Sequence, residues 1–433
     1  MKKRLIICCD GTWLTPANQT NVFKIYEAIE TLDTTGPSPV PQIKYYDSGV
    51  GTDSPLSKLR GGAFGKGLDQ NIKEAYRFLI LNYEPGDELY FFGYSRGAYT
   101  VRSLAGMIYH VGLLKTEFFS HIDEAFKTYK SGKDFNEKEK VEFRESFSRE
   151  INIDLVACWD TVGSRGLPDI VPFIPLDRLW NGKYQFHDTS ISPIIKNALH
   201  AVAIDEKRRS FCNTPMDKGT HSPASQRVIE VWFPGGHSSV GGGTTSKDPS
   251  ELDNSKLADA ALTWMIETIS ILKLKLTFDA KKVQQALHHM DPMASFSDGL
   301  EGLFKILPKH VRRLEKSDIS HVSEAAKIRW IKTRSRENEY NPQAFEIPQG
   351  IHILKALNLL LASVDNTRPA SSTPRKAAKK ITNKKIARKR SASAKKVTKK
   401  TIKKAVSKKP VAKKTARKTV KKTVRKRAGQ RST

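Results

Sequence analysis

The pentapeptide Gly93-Tyr94-Ser95-Arg96-Gly97 joins an apolar run, 89–92, to a helix-prone segment. A serine on a sharp strand-to-helix turn has a strained backbone. Side chains two residues to either side would collide with that turn, which accounts for the glycines. The hydroxyl of such a serine stands at the carboxyl edge of a sheet, where the new helix aims its first N–H groups and positive dipole end. An oxyanion formed on an attacked ester would lie where those groups point. The residue types therefore indicate nucleophilic acyl transfer by Ser95. A serine nucleophile needs a base, and the base needs a carboxylate to hold its tautomer. His237 lies in the glycine-rich VIEVWFPGGHSSVGGG (228–243), and Asp160 closes IDLVACWD (153–160). Asp205 and Asp10 are alternative acids. The first apolar run ends in Asp10-Gly11-Thr12. The backbone N–H of Gly11 or Thr12, with that of Arg96, would form an oxyanion hole.

Positioning these groups requires strands that end together. Strands are predicted at 4–9, 42–46, 88–92, 153–159 and 227–233, and helices at 67–83, 98–114, 191–204, 255–272 and 283–289. Short buried strands alternating with helices predict an α/β class, with a mainly parallel sheet flanked by helices and ligands bound at the strands' carboxyl ends. Two insertions interrupt the pattern, a charged and helical 117–150 and a Pro-rich apolar 165–190 suited to a lid or an acyl-chain wall. Residues 1–275 are read as the catalytic domain and 276–365 as a helical remainder of the body. Within the latter, GLEGLFKILPKHVRRLE (299–315) reads as an amphipathic helix that either packs on the core or touches a membrane surface.

Charge divides the chain. It has 74 Lys and Arg against 45 Asp and Glu, a net +29, and residues 366–433 hold 28 of the basic residues and no acidic one. The first 365 residues are thus nearly neutral, with 46 basic and 45 acidic side chains. The tail is a Lys/Ala/Thr/Val repeat without aromatics, predicted to be disordered when free. In composition it resembles the tails of linker-histone-like proteins. Basic pairs such as Lys384, Lys385, Arg388, Lys389, Arg390, Lys413, Lys414, Lys421 and Lys422 would bind nucleic acid or another polyanion by counterion release.

Other chemistries find less support. RGGAFGKGLD (60–69) nearly matches a phosphate-binding loop, but its spacing is one residue short and no strand directly precedes it. A metal held by Asp10, Asp160 and His237 lacks paired-ligand spacing, so neither metal nor cofactor is expected. The four cysteines show no CxxC spacing. The apolar stretch 5–9 is too short for a signal-peptide core, and no run approaches transmembrane length. A cytoplasmic location is the default expectation, with peripheral membrane or nucleoid association and signal-free secretion as variants.

Six ordered blocks carry a resemblance: ICCDGTW (7–13), NIKEAYRFLILNYEPGDELYFFGYSRGAYTVRSLAG (71–106), WDTVGS (159–164), HAVAIDEKRRSF (200–211), VWFPGGHSSVGGG (231–243) and LADAALTWMIE (257–267). Together they resemble a bacterial and fungal family of uncharacterised α/β-hydrolase domains that includes type VI secretion phospholipase effectors. The chain order Ser95, Asp160, His237 agrees with that fold. The resemblance implies a Ser-Asp-His hydrolase of acyl esters, phospholipids in the effector members, with Ser95 as nucleophile and His237 and Asp160 within the family's blocks. Where relatives commonly read His-Ser-Asp-Val-Gly, this chain has Ser239 in the Asp place. The alternative is a polyanion-binding or scaffold protein that retains an inactive hydrolase-like body.

Overall fold

In β1 (Arg4–Cys9), Leu5, Ile7 and Cys9 enter one apolar cluster, while Ile6 and Cys8 enter another. Period-two alternation thus places apolar groups on both faces, as a strand covered on both sides requires. The computed structural model of the protein describes residues 2–11, 14–49, 61–131, 137–163, 190–243, 255–298, 300, 305–306, 308–314, 318–348 and 350–367. β1 is joined by β2 (Leu32–Asp33), β3 (Val40–Asp47), β4 (Glu88–Tyr94), β5 (Leu155–Trp159), β6 (Asn197–Ala203) and β7 (Arg227–Phe233). They form a seven-stranded sheet in the order β7-β6-β5-β4-β1-β3-β2. Every neighbouring pair is parallel except β2 with β3 at the edge. The class is α/β, as the alternating pattern predicts.

Ten helices of the described residues matter here. They are α1 (Asn21–Ala28), α2 (Gly61–Asn82), α3 (Arg96–Val111), α4 (Ile122–Lys130), α5 (Glu137–Phe147), α6 (His237–Gly241), α7 (Ser255–Ile271), α8 (Ala280–His289), α9 (Glu324–Thr333) and α10 (Ile351–Thr367). Tyr76 of α2, Leu104 of α3, Phe126 of α4 and Phe143 of α5 cover one sheet face. Val22 and Ile25 of α1 and Met265 of α7 cover the other, with Val283 of α8 packed against them. A third cluster sets Trp330 of α9 and Leu357 of α10 against Val202 and Trp232 of β6 and β7. No described helix is long and apolar enough to cross a membrane.

From β1 the chain builds outward to β3, and after β4 it builds the opposite way through β5, β6 and β7. β1 and β4 therefore flank a topological switch point, where the carboxyl ends of parallel strands leave a crevice. Asp10 and Ser95 follow those two strands directly.

Two sequence expectations are corrected. The helix predicted over 191–204 is instead a strand, β6, all of whose residues are buried. Its sequence, NALHAVA, is rich in helix formers, and a strand buried on both faces lacks the polar–apolar alternation that marks half-exposed strands. The described residues of 299–315 form no amphipathic helix. Residues 310–314 run without helical structure, and only Arg312 and Leu314 among them are buried, while Arg313 is exposed. Most of the 165–190 insertion and the whole of 370–433, a separate unit, lie outside the described residues.

Candidate active site

Ser95 sits between β4 and α3 with φ 57° and ψ −120°. This is a conformation L-residues enter at a cost and keep only where the surroundings fix it. Its N–H donates to the Trp159 carbonyl of β5 at 3.0 Å, and its own carbonyl accepts from Tyr99 at 3.3 Å. The glycines on either side serve contact rather than torsion. A Cβ on Gly97 would lie 2.0 Å from the Cys9 carbonyl oxygen, and one on Gly93 would lie 2.6 Å from Ala98 Cα. Only bare backbone lets α3 start so close to β1 and β4.

His237 opens α6, directly after the turn that ends β7. Its Nε2 lies 2.8 Å from Ser95 Oγ, and its Nδ1 lies 2.6 Å from Asp160 Oδ2. A carboxylate can only accept, so Nδ1 carries the proton and Nε2 is left to accept from the serine hydroxyl. The ring is held between aromatics, with Tyr94 at 4.7 Å and the Phe211 edge at 4.9 Å between centroids. Its backbone N–H donates to Glu206 at 3.1 Å, and Arg208 grips that carboxylate through Nε at 2.8 Å and a terminal nitrogen at 2.7 Å.

Asp160 follows β5 at φ 42° and is fully buried. The Ala203 N–H donates to its Oδ1 at 3.0 Å. Next to it, the Thr161 N–H donates to His200 Nε2 at 3.1 Å, which leaves His200 Nδ1 to donate to Glu230 at 2.9 Å. His200 and Glu230 stand opposite each other on β6 and β7, so the sheet itself fixes the turn that carries Asp160. The decisive partner is Arg312, which donates to both carboxylate oxygens, to Oδ2 at 2.9 Å. Burial by itself would raise the Asp160 carboxyl, but the Arg312 charge and the His237 and Arg312 hydrogen bonds outweigh it and hold the group well below the usual range. Burial lowers the His237 imidazole below its ordinary value, and the Asp160 hydrogen bond and charge only partly oppose this. An ionised acid, a neutral base and a hydroxyl thus stand in line, and the serine proton has a direct path to Nε2.

The remaining predicted site residues fall as follows. Asp10 accepts from Thr20 at 2.5 Å and from Tyr46 at 2.8 Å, and burial pushes its carboxyl up to about 6. Asp205 accepts from the Gly235 N–H at 2.7 Å and from Tyr340 at 2.8 Å, and burial raises it likewise to about 6. The carboxylate on His237 is that of Asp160, so neither alternative acid stands in that place. Gly11 does border the serine, since a Cβ there would lie 3.2 Å from Ser95 Cβ, but its N–H donates to Asp10 at 3.0 Å. Arg96 is the first residue of α3, so its N–H belongs to the dipole end beside Ser95. Thr12 and the basic tail residues lie outside the described residues. Ser239 is buried against Gly235. Sequence reasoning missed Arg312, Glu206 and the His200–Glu230 pair. The block HAVAIDEKRRSF (200–211) contained two of these four residues, but nothing local marks Arg312, which lies 152 residues from Asp160.

Known proteins give this geometry a context. An uncharacterised Saccharomyces cerevisiae protein is 34% identical over 243 residues, which is 49% of this chain and 33% of that protein. The chain thus spans about a third of that relative's length. Among solved structures, it is similar to the Tle1 effector bound to the VgrG spike from the Type 6 secretion system, at 18% identity and TM-score 0.33, over 57% of this chain and 52% of that one. An uncharacterised Pseudomonas aeruginosa protein is similar at 14% identity and TM-score 0.35, over 86% of this chain and 60% of that one. Residues 3–268 match the family described as the Tle1-like phospholipase effectors of the type VI secretion system, catalytic domain, and the chain belongs to this family.

Proposed function

We propose that this chain is a serine hydrolase of carboxylic acyl esters, with phospholipids as its substrate class. The observation that carries the reading is the unbroken hydrogen-bonded chain from Ser95 Oγ through His237 to Asp160 at the switch point of the sheet. His237 Nε2 takes the Ser95 proton as Oγ attacks the ester carbonyl carbon. The carbonyl π electrons move onto oxygen, and the Arg96 N–H at the start of α3 stabilises that charge. The protonated imidazole, held by Asp160, then gives its proton to the leaving alcohol oxygen as the tetrahedral intermediate collapses. Water enters by the same steps in reverse and releases the acid. Family membership supports the lipid substrate class. A fluorophosphonate probe tests the reading. The wild type is expected to label at Ser95, Ser95→Ala is expected not to label, and an unlabelled wild type at saturating probe overturns it.

The pH dependence has a definite sign. Catalysis requires neutral His237, and its imidazole lies below the ordinary value. The acid limb of kcat/KM on an uncharged short-chain ester should therefore have its midpoint below about 6.5, the unperturbed histidine value. A pH–rate profile showing the midpoint above that value contradicts the buried, neutral imidazole.

A further inference from the structure

Arg312 is unusual in its burial and its partners. Arginine is seldom fully buried without pairing, and this guanidinium reaches four acceptors: both oxygens of Asp160, the Ala203 carbonyl at 3.0 Å and the Phe211 carbonyl at 2.7 Å. It thereby joins the turn after β5, the end of β6 and the turn whose Phe211 ring meets the His237 imidazole. The segment bearing it is itself tied down. Lys309 bridges Arg208, and the His310 N–H donates to the Lys207 carbonyl at 2.8 Å. The family match ends at residue 268, so this arginine comes from outside the matched catalytic segment. Residues 308–314 thus form a strap tied to 207–208 at one end and to Asp160 through Arg312.

We propose that Arg312 is a positioning residue for the hydrolase reaction, clamping Asp160 from the strap and setting the pH range in which His237 works. This rests on the serine-hydrolase reading. The planar fork fixes both carboxylate oxygens, so Oδ2 stays aimed at Nδ1 while Oδ1 takes the Ala203 N–H. Its charge has a second effect. Asp160 and His237 share protons as a couple, and a cation beside them lowers the proton affinity of that couple whichever site the proton occupies. Among the described residues, the other charged or titratable groups around this cluster include the Arg208–Glu206 pair and the Tyr94 hydroxyl beside the couple, and Cys212 and His310 near Arg312. Glu206 is already gripped by Arg208. Among the described residues, Arg312 is thus the cation paired directly with the acid.

The test compares full-length wild type, Arg312→Met and Arg312→Lys by fluorophosphonate labelling rate and short-chain ester kinetics across pH. Removing the cation should raise the proton affinity of the couple and move the acid limb of Arg312→Met upward by about one pH unit or more. Its kcat should fall about a hundredfold at neutral pH with KM little changed. Arg312→Lys keeps the charge without the fork, so its limb should stay near that of the wild type while kcat falls about tenfold. This second variant keeps the test decisive if Arg312→Met does not fold. Asp160→Asn combined with Arg312→Met should be no slower than Asp160→Asn alone, since residues acting as one unit do not add. A wild-type pH midpoint and rate in a folded Arg312→Met, or in Arg312→Lys an upward limb shift or a kcat unchanged from the wild type, overturns the clamp and leaves the hydrolase reading standing. A wild type that neither labels nor turns over ester overturns both.

Discussion

Asp160→Asn is expected to lower ester turnover about ten-thousandfold, the scale seen when a triad acid is made neutral, and also to weaken the fold. Two consequences follow from one atom. The amide can present an N–H to His237, which favours the tautomer with its proton on Nε2, and Ser95 then loses its acceptor. Arg312 meanwhile keeps its charge inside the protein but loses its counterion. Removing one partner of a buried pair costs about 3–5 kcal/mol, because the other charge remains desolvated. Ser95→Ala removes the hydroxyl without disturbing that pair, so it should be equally inactive but near wild type in stability. Denaturant melts beside steady-state kinetics separate the two effects. Equal stability of Asp160→Asn and the wild type would mean that water or another group compensates Arg312.

Gly97→Ala should be among the most damaging single-methyl substitutions in the chain. The added Cβ would lie 2.0 Å from the Cys9 carbonyl oxygen and 2.6 Å from that of Asp10. Both atoms are backbone at the end of β1, a strand paired on both sides, so neither can rotate away. Relief requires moving α3 off the sheet, which also moves Ser95. Overpacking commonly costs about 1–3 kcal/mol where side chains can adjust. Here the cost should exceed that range, and soluble yield, melting temperature and probe labelling should all fall. Gly86→Ala is the matched control. Its φ is 99° but nothing lies within 4 Å of a built Cβ, so only backbone strain of about 1–3 kcal/mol applies. A Gly97→Ala variant as stable as Gly86→Ala would show that the helix approaches β1 less closely.

The sheet was legible where local pattern and burial coincide. β1 and β7 have their predicted bounds, because five or more apolar residues between polar ends leave few other places to go. The serine turn was legible for a similar reason, since its glycines, its strand and its helix are neighbours in sequence. β6 was not legible. Asn197–Ala203 is a strand only because β5 and β7 pair with it on either side, and its alanines and leucine are equally at home in a helix. The strap was misread too. The residues around Arg312 have helical spacing of apolar groups, yet an ion pair to Asp160 and backbone bonds to 207–208 hold them in place.

By itself, the sequence determined that this is an α/β chain with a serine on a strand-to-helix elbow, His237 in a glycine-rich turn and a surplus of positive charge confined to the tail. Those properties follow from composition and from contacts within a few residues. Which of three aspartates meets the imidazole, and that an arginine 152 residues further along holds it, was decided only by the tertiary structure. Both depend on loops from different strands arriving at one buried point. A charge there is tolerable only when its partner arrives as well, and no local periodicity records where a distant partner will be.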